Sequence, residues 1–185
     1  AGLAAFIIEK VSRQTYEAFV HKRIFRPLGM ASASFNNDDT TMSLLATGYD
    51  SDTHSVIPYW HMLYRAFGAI NIKTIEMTPF LQLLINKGMY KGQRLLTEAS
   101  IMRMETPTST LAAKSGLQYG YGLGNYTTLR NGLIFHGHGG DADGYLARLG
   151  YNRDTDLGYF LVINTFKNSA LTAMRHRVED FISLN

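Results

Sequence analysis

The sequence predicts an α+β fold, an antiparallel sheet flanked by helices. Three observations predict it. Apolar residues recur at helical spacing through much of residues 1–110. From residue 111 the pattern becomes short strand-like runs with compact polar turns, and such short connections join strands into an antiparallel meander. A last amphipathic segment closes the chain. Helices, then strands, then a covering helix is the order of a mixed fold.

Leu3, Phe6, Ile7 and Val11 form the first helical stripe, which Ser12-Arg13-Gln14 interrupts. Thr15 is placed to cap a second helix carrying Tyr16, Phe19, Val20 and Ile24, and Pro27-Leu28-Gly29 stops it. Both helices are expected to pack on an apolar body. Residues 31–72 read as irregular, with a turn at Asn36-Asn37-Asp38-Asp39. Their aromatics Tyr59, Trp60, Tyr64 and Phe67 fit either the wall of a cleft or a long loop pinned down by its rings. A helix over 74–87 starts at Thr78-Pro79 or one turn earlier at Thr74, buries Phe80, Leu81, Leu84 and Ile85, and ends at Gly88. Thr97–Met104 is a short helix before Pro107. Strands are expected at Tyr119–Leu123, Leu133–Gly140, Tyr145–Asn152 and Leu157–Thr165, the last two joined by Arg153-Asp154-Thr155-Asp156. The closing helix puts Leu171, Met174, Val178, Phe181 and Ile182 on one face.

Composition narrows the function classes. A chain of 185 residues, 45% hydrophobic and 18% charged, can bury a core and is not disordered. A net charge of +3 is too small to argue for nucleic acid. No apolar run reaches the roughly 18 residues of a membrane helix. With no cysteine there is no disulfide, thiolate nucleophile or Cys-based zinc site. The chain enters a helical pattern directly from Ala1-Gly2-Leu3 with no initiator Met, which reads as a piece of something longer.

The densest chemistry lies in His136-Gly137-His138-Gly139-Gly140-Asp141-Ala142-Asp143-Gly144-Tyr145, at a strand's end and around the following turn. Glycines let a ligand or another backbone approach closely, and backbone N–H groups freed there can face an oxyanion. One reading is a catalytic edge strand donating a histidine and N–H groups. A second is a structural Gly-rich hairpin. A third is a metal site on His136, His138, Asp141 and Asp143, with the two histidines on one strand face; no further ligand at recognisable spacing supports it.

Several motifs, in order, resemble the C-terminal part of the serine β-lactamase and penicillin-binding-protein-like hydrolases, nearest the class C-like branch with its esterases and D-amino-acid peptidases. Ile24-Phe25-Arg26-Pro27-Leu28-Gly29-Met30 is similar to the family's I-F-x-P-L-G-M and is the most specific piece. Phe6 to Ser12, Gly48-Tyr49, Phe67-Gly68-Ala69-Ile70 with Glu76-Met77, and Leu95-Leu96-Thr97 through Met104-Glu105-Thr106-Pro107 follow in the family's sequence. Tyr119-Gly120-Tyr121-Gly122-Leu123-Gly124 looks like Y-G-Y-G-L-G, and Gly137-His138-Gly139-Gly140 with Gly144-Tyr145 looks like G-H-x-G…G-F.

The resemblance implies a β-lactamase/DD-peptidase-like fold, of which this chain is the C-terminal part of one catalytic domain: helices and loops over 1–110, strands and the last helix over 111–185. The N-terminal half of that domain would be missing. Family enzymes cleave amides or esters through an acyl-serine, using Ser-x-x-Lys, Tyr-x-Asn or Ser-x-Asn, and a Lys-Thr-Gly or His-x-Gly strand. His138-Gly139-Gly140 holds the third position. His138 would then be catalytic, with Gly139, Gly140 and the N–H of Asp141 binding substrate and oxyanion. Gly139 stands where the family usually has Thr or Ser, so a hydroxyl contact to substrate is lost. No lysine follows a Ser or Thr by three residues, and no Tyr-x-Asn occurs. Neither of the first two motifs is expected in the chain. It is therefore expected to be inactive alone, or to serve as a non-catalytic binding or scaffold piece. The resemblance implies no metal or organic cofactor and a small amide, ester or peptide substrate. It implies a periplasmic or other extracytoplasmic location, and self-association or pairing with the absent half.

Overall fold

The computed structural model describes residues 1–36, 38–63 and 65–184. Asn37 of the expected turn and Tyr64 of the aromatic stretch lie outside the described residues.

Helix α1 (Gly2–Ser12) forms as its spacing predicts, but its stripe is uncovered: Leu3, Phe6, Ile7 and Val11 are 73, 54, 53 and 81% exposed. The expectation that both first helices pack on an apolar body thus holds only for the second. α1 ends at Arg13, whose backbone is left-handed (φ 56°) and whose N–H donates to the Glu9 carbonyl. The Thr15 hydroxyl accepts the Ala18 N–H and caps α2 (Tyr16–Val20). The chain continues through a π-helical turn (His21–Phe25) into α3 (Arg26–Leu28) and stops at left-handed Gly29. Val20, Phe25 and Leu28 enter a core with Met30, Phe35 and Leu83. The most family-specific motif therefore builds packing.

Residues 31–72 are less irregular than expected. They hold α4 (Asp39–Leu44), capped by Asp38, and a hairpin of β1 (Gly48–Tyr49) with β2 (Val56–Ile57). The segment is pinned near its start and again at its middle. Glu76 accepts the N–H and hydroxyl of Ser32 at 2.8 and 2.9 Å, and the Tyr49 N–H donates to Asn164. Of the two possible starts for the next helix, the earlier occurs: a 3₁₀ turn (Thr74–Glu76) leads into α5 (Met77–Ile85). Hairpin β3 (Met89–Tyr90) and β4 (Gln93–Arg94) follows, then α6 (Glu98–Glu105) under its Thr97 cap and α7 (Leu111–Lys114).

Five strands form the main sheet in sequence order: β5 (Gly120–Tyr121), β6 (Tyr126–Arg130), β7 (Leu133–Ala142), β8 (Tyr145–Asn152) and β9 (Leu157–Ile163), all antiparallel. β6 is an addition to the expected strands, and the expected Tyr119–Leu123 strand shrinks to β5. Helix α8 (Asn168–Ser183) lies on one face, where Phe135, Tyr159 and Ile182 share a core. It buries Leu171, Ile182 and the polar Glu179, while Met174 and Phe181 from the expected stripe are 43 and 63% exposed. The reason is Glu179, which accepts the Tyr159 hydroxyl at 2.6 Å and turns the helix toward it. On the other face Leu149 and Tyr151 pack against Leu81 and Leu84 of α5 and Ile101 of α6.

Two glycines make room for the two buried tyrosines. Tyr151 stands opposite Gly158 and Tyr159 opposite Gly150. A Cβ on Gly150 would collide with the Tyr159 ring, and one on Gly158 would lie 3.0 Å from the Tyr151 Cβ. Beyond β9 the sheet gains no further strand among the described residues.

Candidate active site

β6 pairs with β7 only from Arg130↔Leu133 to Tyr126↔Gly137, whereas β8 follows β7 out to Ala142↔Tyr145. Residues 138–142 therefore have a neighbouring strand on one side only. Asn125, 3% exposed, makes the release point. Its side-chain oxygen accepts the Gly137 N–H at 2.9 Å, and its amide donates to the Tyr151 hydroxyl at 3.0 Å. Backbone groups alternate sides along a strand, so the N–H groups of Gly139 and Asp141 point to the same, unpaired side as that of Gly137. An oxyanion donor at Asp141 requires that direction.

His138 is exposed on this strand. Its Nδ1 lies 2.6 Å from the Gly139 carbonyl oxygen, which can only accept, so Nδ1 carries the hydrogen. With the ring neutral, Nε2 then accepts from the Tyr121 hydroxyl at 2.9 Å. The rings of Tyr121 and Tyr126 stand 5.9 and 6.0 Å from the imidazole. Arg148, on β8 opposite Gly139, pairs with Asp141 at 2.5 Å and donates to the Ala147 carbonyl at 2.7 Å.

The glycines here serve three steric purposes, and none of Gly137, Gly139 and Gly140 is left-handed. A Cβ on Gly137 would collide with the Leu149 carbonyl. One on Gly139 would sit 2.8 Å from the Arg148 guanidinium. One on Gly140 would meet only Ala147, at 3.9 Å, so that glycine leaves open space.

The four residues of the metal reading do not converge. His136 turns to the Thr127 hydroxyl at 3.1 Å and lies against the Tyr151 ring, and Asp141 is committed to Arg148. Among the described residues no group of three His, Asp or Glu side chains is placed to hold a metal ion. Burial holds the His136 imidazole below the usual histidine range, against the opposing pull of Glu105.

Behind the strand lies a buried polar network. Glu105 accepts the Tyr151 hydroxyl at 2.6 Å and two bonds from Arg153, at 3.0 and 2.5 Å. Arg153 also donates to the Leu84 and Ile85 carbonyls that end α5. Burial first, and the Glu105 hydrogen bond second, push the Tyr151 phenol far up, so it stays a donor. Through Asn125 the network reaches the residue before His138.

A cavity of about 340 Å³ begins at Gly140 and Asp141. Ala147, Phe160 and Val162 of the sheet line it from one side, and Tyr59, Trp60 and Phe67 of the 31–72 segment line it too. The aromatic stretch is thus both cleft wall and pinned loop. Gly144, left-handed at φ 79°, touches Gly48, and the Tyr145 hydroxyl donates to the Ala46 carbonyl, so the loop docks on the turn after the site strand.

Sequence reasoning placed His138, Gly139, Gly140 and Asp141 on one strand beside a cleft, and the structure brings them together. It passed over Asn125 and Tyr151, and gave Tyr121 no role beyond its motif. It also expected no Ser-x-Asn, yet Ser34-Phe35-Asn36 and Ser183-Leu184-Asn185 spell that triplet. The first is a turn around core residue Phe35, with the Ser34 hydroxyl accepting the Asn36 N–H. The second ends on Asn185, outside the described residues.

The family model of the beta-lactamases matches residues 1–181, and the chain belongs to that family. Among individual proteins it is 32% identical over 128 residues to PbpX of Bacillus subtilis (strain 168), described as a penicillin-binding protein. That match takes in 68% of this chain and 29% of PbpX. The fold is that of the class C beta lactamase from Rhodobacter sphaeroides (TM-score 0.78, 14% identity), covering 98% of this chain and 58% of that one. It is also that of the D-amino acid amidase from Ochrobactrum anthropi SV3 (TM-score 0.76, 20% identity), covering 99% of this chain and 55% of that one. The chain spans less than two thirds of the length of each.

Proposed function

We propose that residues 1–185 are the C-terminal part of a single β-lactamase-like catalytic domain, whose complete form hydrolyses an amide or ester through an acyl-serine. The observation that carries this is the unpaired edge of β7 from His138 to Asp141, opening beside an apolar cavity. An extended substrate lies along that edge. The Asp141 N–H joins a second donor at the oxyanion, and Gly140 leaves room for the scissile group. His138 serves proton transfer or holds a substrate carboxylate. The serine attacks the carbonyl carbon, the leaving amine or alcohol departs with a proton, and water releases the acyl group.

The nucleophile and its lysine belong to sequence outside residues 1–185, so the isolated chain is inactive in this reading. The bare stripe of α1 and the outer edge of β9 favour pairing with that missing half or, in its absence, self-association. The same two surfaces favour a second reading, a non-catalytic binding or scaffold piece.

The test begins with the reading frame upstream of Ala1, expected to encode Tyr-x-Asn or Ser-x-Asn just before it and Ser-x-x-Lys farther up. The polypeptide so defined is expected to turn over chromogenic esters, D-amino-acid anilides or β-lactams. His138→Ala should lower its kcat/KM about 100-fold or more. A frame that opens at Ala1, or lacks Ser-x-x-Lys, overturns the enzymatic reading and leaves the scaffold one.

A further inference from the structure

The Tyr-Gly-Tyr-Gly-Leu-Gly segment, residues 119–124, runs beside the histidine of the site strand. Its residues 120–123 are held with unusual steric care. Gly120 is left-handed (φ 143°), and a Cβ there would collide with Thr110. A Cβ on Gly122 would collide with the Met104 carbonyl at the end of α6. The Gly122 N–H donates to the Asn125 carbonyl at 2.7 Å, and the Leu123 N–H to the Met104 carbonyl at 3.0 Å. The Tyr121 carbonyl accepts from the Thr108 N–H and the Ser109 hydroxyl, both at 3.3 Å. Two glycines and four hydrogen bonds thus fix one tyrosine whose hydroxyl ends 2.9 Å from His138 Nε2.

We propose that Tyr121 is a catalytic residue that sets the tautomer of His138 and relays its proton at the β7 edge. The idea rests on the reading of His138 as a site residue. Both ring nitrogens are engaged, Nδ1–H on the Gly139 carbonyl and Nε2 on Tyr121. Such partners select the tautomer of a neutral imidazole. The proton of His138 therefore leaves and arrives through the phenol oxygen. With neutral His138, Tyr121 donates its O–H to Nε2 and its oxygen can accept from outside. With protonated His138, Nε2–H donates to the phenol oxygen and the O–H turns outward as a donor. In cleavage, the leaving nitrogen or oxygen takes the Tyr121 proton, Tyr121 takes the Nε2 proton, and the imidazole ends neutral. In deacylation the same two transfers run backward from water.

The measurement is the tautomer of His138 in the ¹⁵N-labelled 185-residue chain, from long-range ¹H–¹⁵N spectra at a pH where the imidazoles are neutral. His138→Gln identifies the signals. The wild-type chain is expected to show a protonated Nδ1 and a bare Nε2. Tyr121→Phe is expected to move the tautomer ratio toward Nε2–H by about threefold to tenfold, the equilibrium worth of one net hydrogen bond. Circular dichroism should stay unchanged. Tyr119→Phe, two residues away, should leave the His138 signals where they are. A wild-type chain with Nε2–H, or a folded Tyr121→Phe chain with the wild-type ratio, overturns the proposal. The readout needs no turnover, so loss of the hydrolase reading and loss of this one are separate outcomes.

Discussion

Arg13 shows what a single residue costs. It occupies a left-handed helix stop, where a side chain clashes with its own backbone. Arg13→Gly is expected to stabilise the chain by about 1 kcal/mol, a rise of about 2–4 °C in Tm for a chain of this size. Two glycines near His138, at positions 137 and 140, should behave oppositely. Gly137→Ala drives a methyl into the Leu149 carbonyl and should cost about 3 kcal/mol in urea unfolding, whereas Gly140→Ala should stay within about 0.5 kcal/mol. His136 sets a pH dependence. Its folded value is depressed, so the unfolded chain binds the extra proton. Its contribution is full above the unfolded histidine value, about 6.5, and is lost as pH falls through the lower folded value. Urea unfolding at about pH 7.5 and about pH 5.5 should show that loss, and His136→Gln should flatten it. Asp38, Asp50, Glu98 and Asp180, all held low by hydrogen bonds, act in a more acidic window.

Elements were legible where their signals are local. Thr15 caps the helix it was expected to cap, the short helix expected from Thr97 forms with Thr97 as its cap, and β7 and β8 fall nearly where their patterns put them. β6 was missed although its turn was spelled out: Asn131 and Gly132, both left-handed (φ 51° and 80°), form the tight connection to β7. The strand itself, Tyr-Thr-Thr-Leu-Arg, has too little apolar contrast to announce a period. The face of α8 was misjudged for another reason. A buried Glu179 with Tyr159 looks polar in sequence, and only the fold pairs them. Likewise His138, Gly139, Gly140 and Asp141 stand together in the chain and could be read as a unit. Asn125, Tyr151, Glu105 and Arg153 are scattered over it, and nothing in one sequence joins them. Their joint weight can be measured: Tyr151→Phe removes a hydroxyl shared by Glu105 and Asn125 and should cost about 1–3 kcal/mol. An NMR shift change at the Gly137 amide should accompany it.

At the scale of the whole molecule, the sheet, the helix stripes and the family are written in the chain, while the uncovered surfaces show only in three dimensions. Phe6 and Ile7 look like core residues by pattern, yet they are more than half exposed. Light scattering of the isolated chain is expected to give a mass above 20.7 kDa, and Phe6→Lys with Ile7→Lys to lower it toward that value. The reciprocal glycine–tyrosine pairs of β8 and β9 have a bearing on how the molecule assembles itself. Each glycine is a notch that fits one tyrosine, and the two notches are cut on opposite faces. Sliding β9 by two residues would set Tyr159 against Asn152 or Arg148, neither of which leaves that space. The hairpin is thereby keyed like a lock with two wards. It can close early, across its short Arg153–Asp156 turn, and still close in one alignment only. The two notches thus hold the native β8–β9 alignment against a two-residue slip.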